Sequence, residues 1–263
     1  MERPSRPMGG LMRRVVLVVL STVFLFSGPS WAAISYVTSA TGGVWDNTGD
    51  SDVATASWSL SAGDFVAVCV RWAASTATIS TVTDTASNTY ADSGAGRVQV
   101  DGVTDSWTQL FYAYNTSANA SNVVTVTFSG TAGYQAVIAS EYSGVQTSAD
   151  PKDVGNTGTA NNQASVTSGS FTPSVANEVA IACVSKNGST STITAGTNYT
   201  VRTQQFSAIP NYVNGIEDRI GAPVSSQTAS ASVGAGTDFW SIIVYTFKEA
   251  TSGRRAIAPV MLK

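Results

Sequence analysis

Histidine is absent from this chain, and cysteine occurs only twice in 263 residues. Without imidazole there is no Ser–His–Asp or Cys–His nucleophile, no imidazole proton relay and no histidine metal ligand. Two cysteines cannot complete a zinc site of the cysteine–histidine type. No glycine-rich phosphate loop follows a strand and opens a helix, which leaves nucleotide chemistry without a motif. Charge is sparse, at 12% of residues, and helical periodicity is nearly missing beyond residue 33.

The one long apolar run comes first. Arg3, Arg6, Arg13 and Arg14 form a basic start, and residues 15–26 are apolar but for Ser21 and Thr22. Gly28-Pro29 breaks any helix, and Ser30-Trp31-Ala32 places small residues before a cleavage point. This layout predicts a secretory signal peptide over 1–32, since a bilayer span needs about 20 apolar residues. Cleavage there leaves 10 basic against 16 acidic residues, a net charge of −6. The expected location is secreted, cell-surface or periplasmic, with no membrane span in the remaining chain. A mildly acidic, charge-poor chain also lacks the electrostatic footprint that nucleic acid requires.

Beyond residue 33 the chain reads as strands separated by Gly, Ser, Asn and Asp clusters: VVTVTF (123–128), QAVIASEY (135–142), VAIACV (179–184) and WSIIVYTF (240–247). The expected class is all-β. Two halves echo each other. SWSLS (57–61) matches SGSFT (168–172), and DFVAVCV (64–70) matches EVAIACV (178–184) with the cysteines aligned. A shorter, constant spacing then carries Phe111 onto Ile216, Ile138 onto Ile243 and Tyr142 onto Phe247, so the first unit holds about nine extra residues near 97–105. A fainter echo sets ISYVTSATG (34–42) against KDVGNTGTA (152–160). The organisation is a repeat over 33–145, a second over 146–249, and a disordered tail over 250–263. Both cysteine strands are apolar on both alternating faces, as strands covered on both sides are. That favours one antiparallel two-sheet sandwich of jelly-roll type made from both repeats, with two tandem immunoglobulin-like sandwiches as the alternative.

Candidate sites rest on three groups. Trp58, Trp72, Trp107, Tyr112 and Tyr114 fall in the first repeat, where an exposed aromatic row would stack on sugars and a buried one would be packing. Their second-repeat counterparts at the same spacings are small or polar, with Glu217 for Tyr112 and Arg219 for Tyr114. Asp46, Asp50 and Asp52 supply hard oxygen ligands suited to calcium, although the loop lacks the EF-hand glycine and distal glutamate. Glu141 with Glu217 or Asp218 is the candidate carboxylate pair for a glycoside hydrolase, Arg219 being the alternative, structural partner of Glu217. Cys69 and Cys183 are either two buried thiols or a disulfide between the repeats, the second requiring Cα atoms within about 7 Å.

VTDTASNTY (82–90), a strand such as FYAYN and then ASEYSGV resemble phrases in repetitive bacterial extracellular proteins with immunoglobulin-like or jelly-roll sandwiches. The resemblance implies export and a role in surface attachment or extracellular binding, and carries no catalytic residues. The second repeat departs from it, reading TAGTNYT with no Asp. The expected function is a non-catalytic exported binding or adhesion protein with a glycan or surface partner. The alternatives are a carboxylate-dependent carbohydrate-active enzyme and a subunit of an extracellular assembly.

Overall fold

The computed structural model describes residues 33–251 except 45–48, 75, 101, 190, 208–210 and 233–237. The expected leader and nearly all of the tail lie outside them. The first half holds β1 (Ser35–Val44), β2 (Asp50–Ala54), β3 (Trp58–Leu60), β4 (Phe65–Ala73), β5 (Ile79–Asp84), β6 (Ala91–Asp92), β7 (Val98–Gln99), β8 (Ser106–Ala113), β9 (Asn119–Asn122) and β10 (Val124–Ser143). The second holds β11 (Lys152–Gln163), β12 (Ser165–Thr167), β13 (Glu178–Asn187), β14 (Thr194–Ala195), β15 (Thr200–Ser207), β16 (Tyr212–Ala222), β17 (Ser230–Ser232) and β18 (Asp238–Phe247).

The fold is all-β and its strand pairings are antiparallel, as a sandwich requires. One inner sheet runs β1-β10-β4-β8-β6 and the other β11-β18-β13-β16-β15, the same order in each half. Each inner sheet has an outer one on its far side. The first is β2 and β5 against the start of β10, with the ribbon β3–β9. The second is β12-β17-β14.

Alternation along the two cysteine strands explains the stack. Phe65, Ala67 and Cys69 face one way and meet Val179, Ile181 and Cys183 of the other half, with Leu110, Ile138, Ile216, Ile243 and Phe247. Val66, Val68, Val70 and Trp72 face the opposite way, into a core closed by the first outer sheet. Ala180, Ala182 and Val184 do the same in the second half. The arrangement is therefore four layers with three cores, the middle core shared. Each half is a small sandwich, yet the two are one compact unit, so neither the single two-sheet sandwich nor a pair of separate beads describes it fully.

At the centre, Cys69 and Cys183 are joined as a disulfide with Cα atoms 5.4 Å apart. Beside them the shared core is aromatic at one end, Phe65 lying 4.5 Å from Phe247. It is polar at the other. There the fully buried Arg71 donates to Tyr134 O, Ser106 Oγ and Asn187 Oδ1 and lies 3.7 Å over the Tyr212 ring.

The registers correct two alignments. Leu110 is opposite Cys69 where Ile216 is opposite Cys183, so Leu110, not Phe111, matches Ile216. Tyr112 then matches Asp218, and Tyr114 matches Ile220. Ala40 pairs with Ala139 as Asn156 pairs with Val244, which sets Gly42 against Gly158 instead of Ala160. The first slip is one residue and exchanges the faces of a strand; the second, from Ala160 to Gly158, is two residues and keeps them.

Candidate binding site

The segment VTDTASNTY builds a clamp. Asp84 ends β5, and its carboxylate accepts from Asn88 N (2.9 Å), Asn88 Nδ2 (2.7 Å), Tyr90 OH (2.9 Å) and Asn122 Nδ2 (3.2 Å). Ser87 takes φ 60° to turn the chain back. Asn122 Oδ1 accepts from Thr85 Oγ1 and Ala86 N, which holds the turn against β9. Asn88 Oδ1 accepts from Ser117 N at 2.8 Å, fastening it to the segment after β8. Asp and Asn suit this task because short polar side chains replace backbone partners in tight turns.

Between the clamp and the end of β8 lies a cavity of about 490 Å³ lined by Ser87, Asn88, Thr89, Ala91, Tyr112, Tyr114, Asn115, Ser117 and Asp150. Tyr112 is anchored in the shared core, stacked 6.0 Å from Phe65 and tilted against Phe247 at 5.1 Å. Its hydroxyl reaches out to donate to Asp150, 2.9 and 3.0 Å from the two carboxylate oxygens. Burial, then the Asp150 carboxylate, raise the Tyr112 pKa, so it remains a phenol. Asp150 comes from the connection between the halves and accepts from Lys152 N as well. Tyr114 is 37% exposed.

The tryptophans do not join this site, which corrects the expected aromatic row. Trp72 is fully buried, its indole N–H donating to Ala77 O, beside Phe128. Trp107 lies opposite Trp72 in the β4–β8 register, donates to Ala74 O and carries the Arg97 guanidinium 4.0 Å over its ring. Trp58 donates to Glu141 Oε2 at 3.2 Å. All three pack in the core of the first half. Tyr112 and Tyr114 alone share a cavity.

The candidate carboxylate pair is not assembled. Glu141 is buried on the outer-sheet side of β10, accepting from Trp58 and from Ser61 N. Nearby Asp64 has its pKa pushed up to about 7, by burial first and then by the Glu141 carboxylate. Glu217 points the other way, into the far side of the second inner sheet, and Asp218 is tied to Arg202 at 2.8 Å. Burial pushes Glu217 up to about 8, and among the described residues it forms no ion pair with Arg219.

Of the calcium candidates, Asp46 lies outside the described residues. Asp50 and Asp52 are exposed on β2. Among the described residues no three carboxylates converge on one point.

Asp84, Asn88, Asn122 and Asp150 were not singled out by the sequence. The first two stand in VTDTASNTY, whose D-x-x-x-N-x-Y spacing is the signal for them. Asn122 and Asp150 sit in ordinary polar stretches with none. Comparison with protein-family models, with curated proteins and with solved structures finds no match.

Proposed function

We propose that this chain is an exported, non-catalytic binding protein whose first half holds a neutral saccharide in the Tyr112–Tyr114–Asp150 cavity. The observation that carries the reading is the cavity's lining. An exposed tyrosine face stands beside amides, hydroxyls and a carboxylate, the mixture of one apolar surface and a few placed polar groups that marks a small-molecule site. A volume of about 490 Å³ accommodates one or two sugar rings. The Asp84 clamp gives the rim a fixed shape, which limits the ordering cost of binding. Export is supported by the basic and apolar layout of 1–32 and by the disulfide, which persists in oxidising compartments.

A neutral-glycan array probed with the full chain tests the reading. Binding to a defined neutral glycan that falls at least tenfold in Tyr114→Ala, with an unchanged melting temperature, supports it. No binding, or binding indifferent to Tyr114→Ala and Asp150→Ala, overturns it.

A further inference from the structure

The second half buries a charge pair where the first half buries an indole. Lys186 follows Cys183 at the interval at which Trp72 follows Cys69, and both side chains are fully buried. The partner of Lys186 is Asp238, at the start of the neighbouring strand β18, its carboxylate 3.3 Å from Nζ and without exposed surface. A buried ion pair rarely stabilises a fold more than apolar groups of similar volume, because both ions lose their water. The attraction of the two charges is therefore a weak reason for placing them in an interior that an indole fills elsewhere.

The hydrogen bonds around the pair supply a stronger one. Nζ donates to Ser189 O and to Ser189 Oγ, the latter at 2.8 Å. Ser189 Oγ donates in turn to Asp238 Oδ2 at 2.9 Å. Asp238 Oδ1 is buried and has no hydrogen-bond partner among the described residues. As an ion pair the group is incomplete, with one carboxylate oxygen left bare, which is costly in an interior. As an amide between Nζ and Cγ it is complete. The one remaining N–H keeps the Ser189 carbonyl, Oδ2 becomes the amide oxygen and keeps the Ser189 hydroxyl, and the bare Oδ1 is gone. Both buried charges vanish with it. Burial also lowers the Lys186 pKa, against the opposing pull of Asp238, and so favours the neutral, nucleophilic amine.

We infer that Lys186 and Asp238 are joined by an amide bond that cross-links β13 to β18 in the second half. The step is a condensation within the buried pair. The Nζ–Cγ bond forms, the Cγ–Oδ1 bond breaks, and two protons of the ammonium group leave on Oδ1 as water, with no oxidant, reductant or further reactant consumed. Groups held in contact and well oriented react with effective molarities of about 10⁵–10⁸ M, which is what lets an amide form without activation of the acid. Ser189 touches both groups and is a positioning residue. The bond is independent of the saccharide site and, unlike Cys69–Cys183, survives reductant.

The test is the mass of the full chain, folded and then reduced and denatured, followed by tryptic mapping. The expected mass is that of the reduced chain less one water. The expected map holds a branched peptide joining Lys186 to Asp238, with no cleavage after Lys186. Lys186→Met and Asp238→Ala should each restore the missing water. Ser189→Ala should lower the linked fraction at least twofold at a fixed time after folding. The parent chain alone decides the inference even where the variants fold poorly. Full mass with cleavage after Lys186, or a water loss that maps to other residues, overturns it.

Discussion

Cys69 and Cys183 lie at the same register position of two inner sheets and are bonded to each other across the core those sheets share. They are 114 residues apart in the chain, so by the chain-entropy model the bond removes about 4–5 kcal/mol of freedom from the unfolded state. Replacing both with alanine is expected to lower stability by about 2–5 kcal/mol, read by urea denaturation, with the folded strand content retained. A change below about 0.5 kcal/mol would show that the bond does not restrain the unfolded chain in this way.

Gly42 and Gly158 hold matching positions where the first strand of each half meets the chain crossing to its outer sheet. A Cβ on Gly42 would stand 1.7 Å from Ala54 O, and one on Gly158 2.0 Å from Thr167 O. Both obstacles are backbone and cannot step aside. Gly42→Ala and Gly158→Ala are each expected to cost about 2 kcal/mol or more, in the range of overpacked cores. Gly130→Ala, where a Cβ meets nothing, should fall within about 0.5 kcal/mol of the parent. Thermal melts of the three variants decide it.

Asp84 gathers four donors, so truncating it leaves the turn without its centre. Asp84→Ala should lose about 2–4 kcal/mol, as hydrogen bonds to charged groups are worth about 1.5–3 kcal/mol each but are not additive. Binding at the first cavity should fall with it. Tyr114→Ala should lose binding and keep stability. The pair of variants, measured by melting and by titration, separates the scaffold from the contact surface.

Glu217, Asp64 and Glu178 are held at about 8, about 7 and about 7, against ordinary values of 4.5, 3.8 and 4.5. Burial is the leading cause in each, with the Glu141 and Asp153 carboxylates adding to the rise for Asp64 and Glu178. The folded pKa lies above the unfolded one, so the folded chain binds more protons within that window. The stability these groups contribute is full below the unfolded values, declines as pH rises from about 3.8 towards about 8, and levels off above. Glu217→Gln should flatten the upper part of that decline and stabilise the chain at pH 8, as read by urea denaturation across pH. An unchanged slope would mean that Glu217 ionises freely in the fold.

Strand composition, the two-faced apolar runs and the matched cysteines made the all-β class and the covered central strands readable. VAVCV and VAIACV announce burial on both sides because no polar residue interrupts either face. What covers those faces was not readable, since a partner sheet and an outer sheet impose the same apolar pattern. The one-residue offset between β8 and β16 was hidden for a related reason. Phe111 and Leu110 are both apolar, and the register is set by pairing with β4, not by the strand's own sequence. The tryptophans misled because an indole serves a core as well as a surface. Asp150 was invisible because its role depends on the connection between halves lying beside Tyr112.

The two halves share one core, and Cys69 and Cys183 are bonded across it. Peptide mapping of the oxidised protein by mass spectrometry, after alkylation without reductant, reads that bond. The peptides bearing Cys69 and Cys183 are expected to be recovered covalently linked and unalkylated, and to separate only after reduction. Recovery of both cysteines alkylated before reduction, in protein that has kept its fold, would contradict the shared, bonded core.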